Sequence, residues 1–470
     1  MLGTRGLTRL VVLLAFFWYY RGQVVLNTIL IRSSFPRGYI ANGNYTADCK
    51  TVRDLAVPQP ESMSNCEDET FWELRDATGR TVQRPVLITC DAGRRAWNTV
   101  MGPLRDPKPL GSLWIYYAAP TPSGPTATTT RKKYLAPSLT PNTPHRVALV
   151  DYPAGHTFHP LGIAVWPSTA GNASHLYVVN HAEKHTVVEQ FLLDPARPTE
   201  ARHVRTIASR WFVSPNALAL TAPDAFYVSN DHLLTRRLWL VGHVLPVMET
   251  VLGWPLGFVS HVTLTPPDAS GASSTNAIAS HFIAKYFVPF TNGVALSASG
   301  AHLAIVSSSL GQVWIYARDA ATSRLTQPLA VVTVPFSPDN AHYTYNSKTG
   351  VDELIVAGHP NFPDLVKLGD GTPGAAAPSW VVTIVPKTVQ GSKPEKVFDT
   401  EAPVSTNSKL AQDGATWTLK TLFQSDGNEE EGGFASSSTG LRDPETGTVY
   451  ITGLLTSGGM LVCEPGAKRT

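Results

Sequence analysis

The stretch TNGVALSASGAHLAIVSSS, residues 291–309, holds two short apolar runs joined by the turn sequence Ser297-Ala298-Ser299-Gly300. Apolar and β-branched residues on both sides of such a turn are typical of a β-hairpin. The same order of a small or polar start, a strand, a turn and a second strand occurs five more times along the chain. Those units are residues 65–90, 160–181, 215–232, 338–359 and 438–455.

Further strands fit between the hairpins, for example at residues 187–192, 312–316 and 380–384. Repeated units of about four strands are the signature of a propeller, in which sheets pack around a channel. Six units therefore predict an all-β fold, a six-bladed β-propeller with a central channel. Few segments show a helical period, which disfavours a parallel α/β fold.

The propeller is expected to span residues 45–465. The intervals between the hairpins are uneven, and the long ones hold segments rich in Pro, Gly, Ser, Thr or Ala, which are typical of surface loops. Inserted loops are expected near residues 104–140, 262–280 and 362–379. Their most biased parts are residues 119–133, 265–277 and 369–379.

The composition is that of a globular chain with few charges. Of 470 residues, 43% are hydrophobic and 16% are charged, below the ~25% charged residues of a typical domain. The formal net charge is +2, and Arg131-Lys132-Lys133 is the one concentrated basic block. The sequence therefore gives no indication of a nucleic-acid partner.

The amino terminus has the pattern of a secretory signal. Arg5 and Arg9 precede the apolar run from Leu10 to Tyr20, which has the length of a signal-peptide core. Arg21 interrupts this run before it reaches the ~20 apolar residues that a membrane-spanning helix needs. We expect residues 1–22 to be a signal peptide or an uncleaved signal anchor, so that the protein is secreted or associates with a membrane. A buried terminal helix is the alternative.

The cysteines indicate an oxidising compartment. There are four of them, an even number, and no two form a C-x-x-C pair of the kind that binds zinc. Cys49 and Cys463 lie before the first hairpin and after the last, where a bond between them would close the ring. Cys66 and Cys90 lie at the two ends of the first hairpin, within disulfide reach of each other. Asn44 and Asn172 are expected glycosylation sites, because each begins an N-x-[ST] sequon.

Side-chain oxygens stand where the first strand of each unit begins. The first strand of a blade lines the channel, so these residues are expected to converge. SPDN at residues 337–340 is such a strand start, although Pro, Asp and Asn are also common in solvated turns. Carboxylates and carboxamides without His or Cys suit Ca²⁺, which takes ~6–8 oxygen ligands. The expected ligands are Glu67, Asn216, Asn292, Asp339 and Asn340, with two formal negative charges in all.

At these positions the chain resembles the calcium-dependent paraoxonase/arylesterase family. The resemblance rests on these motifs in order: CED (66–68), FHPLGI (158–163), LYVVNH (176–181), PNALAL and FYVSNDH (215–232), TNGVALS (291–297), PDN and GHPN (338–361) and LVCE (461–464). It implies a six-bladed propeller with two calcium ions in its channel, and hydrolysis of lactones and aryl esters.

The resemblance also assigns residues to each ion. The catalytic calcium would be held by the five ligands named above. A second, structural calcium would be held by Asp68 and the carbonyl of Ile163. Where the family has an aspartate after the ligating asparagine, this chain has Ala217. The loss of that carboxylate is expected to weaken or remove the second ion.

The same comparison leaves the catalytic base open. Leu161 stands where the family has a catalytic histidine, whereas its companion is present as His181. His181 alone, Glu67 or Asp339 beside the metal, or His159 turned inward could deprotonate water, while calcium polarises the ester or lactone carbonyl. Asp231 and His232 also match the family pattern. No G-x-S-x-G elbow accompanies them, which argues against a serine hydrolase.

Two alternatives remain beside a calcium-dependent hydrolase of small esters and lactones. One is a gluconolactonase-like propeller lactonase with a single metal. The other is a non-catalytic propeller that calcium stabilises and that binds a partner, a reading that the loss of histidine at Leu161 keeps open. His232 and His359 are interpreted as structural residues, and the acidic run at residues 428–431 as a solvated loop.

Overall fold

The computed structural model describes ten segments of the chain: residues 4–22, 34–41, 48–53, 62–108, 110–119, 139–266, 277–346, 350–386, 402–404 and 417–465. Within them the fold is all-β and propeller-like, with a few short helices. The expected loop cores at residues 119–133 and 265–277 lie almost wholly outside the described residues, as does the sequon at Asn44.

The described strands are these, in chain order: β1 Tyr39–Ala41, β2 Asp48–Val52, β3 Cys66–Phe71, β4 Leu74–Arg75, β5 Thr81–Gln83, β6 Val86–Cys90, β7 Ser112–Tyr116, β8 Pro144–Val150, β9 Pro160–Val165, β10 Ser168–Thr169, β11 Ser174–Asn180, β12 Val187–Leu193, β13 Glu200–Ile207, β14 Pro215–Ala222, β15 Ala225–Asn230, β16 Gly257–Leu264, β17 Ile278–Val288, β18 Thr291–Leu296, β19 His302–Ser307, β20 Gln312–Arg318, β21 Leu325–Thr333, β22 Ser337–Asn346, β23 Val351–His359, β24 Ser379–Pro386, β25 Trp417–Ser425, β26 Ser437–Arg442, β27 Val449–Gly453 and β28 Met460–Glu464.

The described helices are α1 Thr4–Phe17, α2 Leu245–Leu252 and α3 Phe362–Gly369. A π-helical turn, Trp18–Gly22, continues α1, and two 3-10 turns cover Ser308–Leu310 and Glu429–Glu431. The expected loop at residues 362–379 thus begins with a helix. Asn361 caps α3 by accepting a hydrogen bond from the Asp364 N–H, and Pro363 lies in its first turn, a position that Pro favours.

Sets of antiparallel strands form the sheets. The strands β14-β15-β16-β17 make one four-stranded sheet and β18-β19-β20-β21 make another, whereas β22-β23-β24-β25 gain β1 as a fifth strand. Three further sets are joined into one 12-stranded sheet, and β10-β4-β5 form a separate three-stranded sheet. The joints are a single pair between Gly453 of β27 and Cys66 of β3, and a short parallel pairing of β8 with β13. Hydrogen bonds therefore join some of the blades that the repeats predict to be separate sheets.

The first strands of the six hairpin units contact one another in a closed circle. β3 contacts β9, β9 contacts β14, β14 contacts β18, β18 contacts β22, β22 contacts β26, and β26 contacts β3. Residues at the starts of these strands are far apart in sequence. The circle brings those strand starts around one axis, as in a propeller.

The hydrophobic core lies between neighbouring sheets. One cluster joins Val313 and Ile315 of β20 to Val356 of β23 and Trp380 of β24, so it spans two adjacent sheets. Because both faces of such a sheet are covered, its middle strands are apolar without alternation, as in β15, where all six residues are buried. Each buried Val, Leu, Ile or Phe contributes about 1.5–3 kcal/mol relative to an exposed one.

Both expected disulfides are confirmed. Cys49 of β2 is bonded to Cys463 of β28 across 414 residues of sequence, and Cys66 of β3 to Cys90 of β6 across 24. The first bond fastens β2 antiparallel to β28, so the two ends of the described sheet region are linked covalently. Asn172 lies exposed in the turn before β11.

The apolar run from Leu10 to Tyr20 lies in α1 and the π-helical turn after it. Large apolar side chains of this segment, such as Val12 and Phe16, are exposed. Of the helices described, none is both long and apolar enough to cross a bilayer.

Candidate functional site

A cavity of about 360 Å³ opens where the six first strands converge. Four of the five expected ligands line it: Glu67, Asn216, Asn292 and Asp339. The fifth, Asn340, is buried directly beside them and its amide contacts Glu67. All five side chains belong to residues that are 6% exposed or less.

A repeated irregularity of the strands aims these side chains inward. In β14, β18 and β22 the pairing register shifts so that two residues face one on the neighbouring strand. Asn216, Asn292 and the pair Asp339-Asn340 are the residues inside those shifts. Glu67 is likewise the extra residue between Cys66 and Asp68 of β3. β-Bulges re-aim side chains in this way, and they are frequent next to active sites.

Oxygens of this group lack protein partners. Glu67 Oε2 and the Oδ1 atoms of Asn216, Asn292 and Asn340 are buried, and no hydrogen-bond donor within the described segments reaches them. Each such orphaned group costs about 1–3 kcal/mol when nothing satisfies it. Four orphaned oxygens from four different strands, with no His or Cys among their residues, are a donor set that suits Ca²⁺.

Other atoms of the Glu67, Asn340, Asn216 and Asp339 side chains are hydrogen-bonded within the protein. Asn340 Nδ2 donates to Glu67 Oε1 at 2.9 Å and to Thr439 Oγ1 at 3.0 Å. Asn216 Nδ2 donates to Asp231 Oδ2 at 3.5 Å, and His359 Nε2 donates to Asp339 Oδ2 at 2.9 Å. These bonds orient the Asn340 and Asn216 amides, so that their oxygens are the atoms left free.

The electrostatics of Glu67 also favour a cation. Burial raises the pKa of Glu67 well above its usual range, and the nearby Asp68 and Asp339 carboxylates raise it further. A divalent cation among these groups would offset both effects. Within the described part of the chain no three His, Cys, Asp or Glu residues form a metal-binding cluster; the set found here consists of two carboxylates and three carboxamides.

The structure brings Asp68 and Ile163 together, but as hydrogen-bonding partners. The Ile163 N–H donates to Asp68 Oδ2 at 2.9 Å, and both Asp68 oxygens have protein donors. Ala217 is buried and contributes no oxygen-bearing side chain. These residues do not fit the second calcium that the resemblance implies.

His181 lies on the cavity wall with both ring nitrogens engaged. Its Nε2 donates to the Pro215 carbonyl at 2.7 Å, so its Nδ1 accepts from the Thr99 hydroxyl at 2.6 Å. Burial lowers the pKa of His181 to about 4. The ring is therefore neutral near pH 7, and its one lone pair points at Thr99. Leu161, also on the wall, places an aliphatic side chain in the cavity.

His159 does turn toward the cavity, but its ring is set between two acceptors. Its Nδ1 lies 3.0 Å from Asp91 Oδ2 and its Nε2 lies 3.0 Å from the Pro107 carbonyl. Both nitrogens are therefore engaged with buried protein oxygens, and neither faces the cavity unpartnered. Trp97 stacks on the ring, with centroids 5.7 Å apart. The geometry disfavours His159 as a base.

His232 and His359 each have one engaged ring nitrogen and one that is not. The Nε2 of His232 is 2.7 Å from the Thr250 hydroxyl, whereas its Nδ1, 3.3 Å from Asp231 Oδ1, makes no hydrogen bond within the described residues. His359 donates its Nε2 proton to Asp339, whereas its Nδ1 is buried and has no partner among the described residues. Both His359 and Asp231 line the cavity. His359 thus has a free lone pair beside a proposed ligand.

Several wall residues were not expected from the sequence. Arg94 and Asn98 come from the segment after β6, and Arg94 donates to the Pro160 carbonyl at 2.9 Å. Val247 and Val251 of α2 and Leu365 of α3 form an apolar side of the cavity. The run Arg94-Arg95-Ala96-Trp97 has two charges next to a large aromatic residue, which is a weak sequence signal for a functional segment. No local sequence pattern predicts that this run lies over the channel.

Fold and site together define a class: a propeller-like protein with a cavity on its axis and a cluster of buried oxygen ligands inside it. The model of the arylesterase family matches residues 140–416, more than half of the chain, and the chain belongs to that family.

Relatives of known activity match over part of their length. Rat serum paraoxonase/lactonase 3 is 29% identical over 187 residues, which is 35% of this chain and 49% of the relative. Mouse serum paraoxonase/arylesterase 1 is 28% identical over 260 residues, 51% of this chain and 64% of the relative. The chain thus spans about half to two thirds of these relatives. Among solved structures, a gluconolactonase from Xanthomonas campestris aligns over 92% of this chain and 99% of its own, with 13% identity and a TM-score of 0.37.

Proposed function

We propose that this protein is a calcium-dependent hydrolase of lactones and carboxylic esters, including aryl esters. The family assignment supports ester and lactone hydrolysis as the class of reaction. The single observation that supports a bound metal is the set of four buried, unpartnered oxygens on Glu67, Asn216, Asn292 and Asn340. Asp339, the fifth residue of the set, adds the second carboxylate.

The proposed architecture is six blades around this channel, over residues 45–465. The closed circle of contacts among β3, β9, β14, β18, β22 and β26 supports that number, since each of these strands begins one repeat. One of the hydrogen-bonded joints runs between the outer strands β8 and β13, and the other is a single residue pair between the end of β27 and the start of β3.

The protein residues would divide the work as follows. When bound, a calcium ion supplies a Lewis acid that polarises the substrate carbonyl. Glu67 and Asp339 balance its charge, and the three asparagines complete the oxygen set. Val247, Val251 and Leu365 would take the acyl or aryl part of the substrate and exclude water from the cavity. Small ester or lactone molecules fit a cavity of about 360 Å³.

The base that activates water is proposed to be His181. Its neutral ring accepts a hydrogen bond from Thr99 at Nδ1, so Thr99 can pass a proton from water to His181. His359 is the alternative, because its Nδ1 lone pair is free. Replacing each with Gln separates them: His181→Gln is expected to lower kcat about 100-fold or more if His181 is the base. A drop of that size in His359→Gln alone assigns the role to His359.

The proposed setting is the secretory pathway, with residues 1–22 as a signal or anchor and with glycans on Asn44 and Asn172. Two disulfides and no free cysteine among the described residues support an oxidising compartment. The exposed position of Asn172 in a turn is compatible with a glycan.

The test is an assay of the purified chain on phenyl acetate, a γ-lactone and an aldonolactone, in calcium and in chelator. Turnover that chelator abolishes and calcium restores is expected, and Asn292→Ala should lose it. The exposed Asn172→Ala serves as the matched control and should keep full activity. A preference for the aldonolactone would favour a gluconolactonase-like enzyme. Calcium-dependent stabilisation without turnover on any substrate would contradict the hydrolase and favour a binding protein.

A further inference from the structure

Asp68 is the residue next to Glu67. The Glu67 carboxylate has one unpartnered oxygen, whereas both oxygens of the Asp68 carboxylate accept hydrogen bonds. It is 2% exposed, and donors from several strands surround it. Oδ1 accepts from the Glu69 N–H and from the Thr439 hydroxyl, each at 2.9 Å, and Oδ2 accepts from the Ile163 N–H at 2.9 Å. A fourth donor, His342 Nε2, lies 3.4 Å from Oδ1.

These donors come from around the ring. Glu69 belongs to β3 itself, Ile163 to β9, His342 to β22 and Thr439 to β26. A buried carboxylate whose two oxygens accept several N–H and O–H bonds has its hydrogen-bonding capacity met by the protein, without any cation. Neither Asp68 oxygen is among the buried unpartnered atoms, whereas Glu67 Oε2 is.

The neighbours of Asp68 present hydrogen-bond donors to it, where a second ion would need oxygen ligands. Ile163 presents its N–H to Asp68. The methyl side chain of Ala217 occupies the position of the family's aspartate. β9 packs tightly here, since a Cβ placed on Gly162 would lie 2.8 Å from Ala217 Cα and 2.2 Å from the Asn216 carbonyl oxygen. The backbones of β9 and β14 are therefore in direct contact at this point.

We propose that Asp68 binds no metal and is instead a hydrogen-bonded hub, a carboxylate that accepts from donors on several strands, with His342 and Thr439 as its side-chain donors. This hub takes the place of the second calcium site, so the protein binds one calcium ion. The inference rests on the proposed function for the first site only. At the first site, the role of Asp68 is to position the Asn340 side chain. Thr439 Oγ1 contacts Asp68 Oδ1 and also accepts from Asn340 Nδ2, so the hub holds the Asn340 amide with its oxygen turned toward the first site.

Removal of Asp68 distinguishes a hub from a ligand. A calcium ligand costs stability when no calcium is present, because it is an extra buried carboxylate beside Glu67; a hub contributes stability with or without calcium. In chelator, Asp68→Asn and His342→Ser should therefore each lower the thermal midpoint, by about 3 °C or more for Asp68→Asn. His185→Ser, an exposed histidine substitution, is the control and should leave the midpoint unchanged.

Calcium stoichiometry is the second readout. Native mass spectrometry of the folded protein titrated with calcium chloride should show one bound ion in wild type and in His342→Ser. An unchanged or raised midpoint of Asp68→Asn in chelator, or two ions in wild type, would overturn the hub. No bound ion in wild type, together with a lowered midpoint of Asp68→Asn in chelator, would support the hub and overturn the calcium site of the proposed function instead.

Discussion

For single residues, the main feature of the site is that several side chains each have one buried oxygen without a hydrogen-bond partner, which lowers stability. Asn292 Oδ1 and Asn216 Oδ1 are buried without a donor, although an apolar side chain of the same size would not carry that penalty. Functional sites often hold such locally unfavourable groups. In the proposed calcium site a bound cation would remove this penalty, and calcium affinity would then be linked to stability.

Asn292→Leu is therefore expected to stabilise the metal-free protein while it destroys the site. In chelator the variant should gain about 1–3 kcal/mol, because an unsatisfied buried oxygen is replaced by an apolar group. In saturating calcium it should show no added stabilisation, in contrast to wild type. Denaturant unfolding with and without calcium measures both. Loss of stability in chelator would show that Asn292 serves the fold and not a ligand.

The pH dependence of activity should follow His181 in its folded environment. Because burial lowers its pKa to about 4, the neutral, proton-accepting form predominates well below the ordinary histidine range. We expect kcat/KM to stay level from neutral pH down to about 5 and to fall as pH approaches 4. A fall centred near pH 6.5 in the pH–rate profile would instead indicate a solvated histidine as the base.

At the scale of elements, the bulges near the starts of the first strands are the feature that makes the site. The hairpins themselves could be predicted, since turn sequences such as Ser297-Ala298-Ser299-Gly300 act locally, and so could the strand starts at Asn216 and Asn292. The bulges could not, because the register shift depends on pairing with a neighbouring strand. For the same reason the sequence did not reveal that Asp68 is saturated by donors, although it lies next to Glu67.

A second polar cluster fastens three strands of one sheet. Glu189 of β12 accepts from Asn180 of β11, from His203 and Thr206 of β13, and from His156. Burial opposes its charged form, but the hydrogen bonds from the two histidines, Asn180 and Thr206 outweigh that effect and lower the pKa of Glu189 to about 2.

A carboxylate with a lowered pKa contributes stability above its unfolded pKa, and this stability is lost as pH falls toward the folded value. For Glu189 the window runs from its ordinary value of 4.5 down to about 2. Glu189→Gln should cost roughly 3 kcal/mol at pH 7 and little at pH 2, by linkage. Urea unfolding at both pH values measures the difference. An equal cost at both would mean that packing alone is lost.

At the scale of the whole molecule, one covalent bond joins the two ends of the ring. The pairing of Cys49 with Cys463 could be predicted from position alone, because one lies before the first hairpin and the other after the last. The joining of three strand sets into one sheet could not, since the short parallel pairing of β8 with β13 has no signal in a mixed strand such as Pro144–Val150.

Removal of that bond should be more costly than removal of the local one. Cys49 and Cys463 are 414 residues apart in sequence, so Cys49→Ala with Cys463→Ala is expected to lose about 6 kcal/mol through the greater freedom of the unfolded chain. The bond between Cys66 and Cys90 encloses a far shorter loop, and its double alanine variant should lose about 3 kcal/mol. Unfolding midpoints under non-reducing conditions compare the two. The reverse order would contradict closure of the ring as the main role of Cys49–Cys463.

The central claim is that distant strand starts meet to hold one calcium ion. A crystal grown in calcium, with diffraction recorded at a wavelength where calcium scatters anomalously, tests it most directly. A single anomalous peak is expected at about 2.3–2.6 Å from Glu67 Oε2 and from the Oδ1 atoms of Asn216, Asn292 and Asn340. The absence of a peak among these oxygens, or a peak beside Asp68 instead, would contradict it.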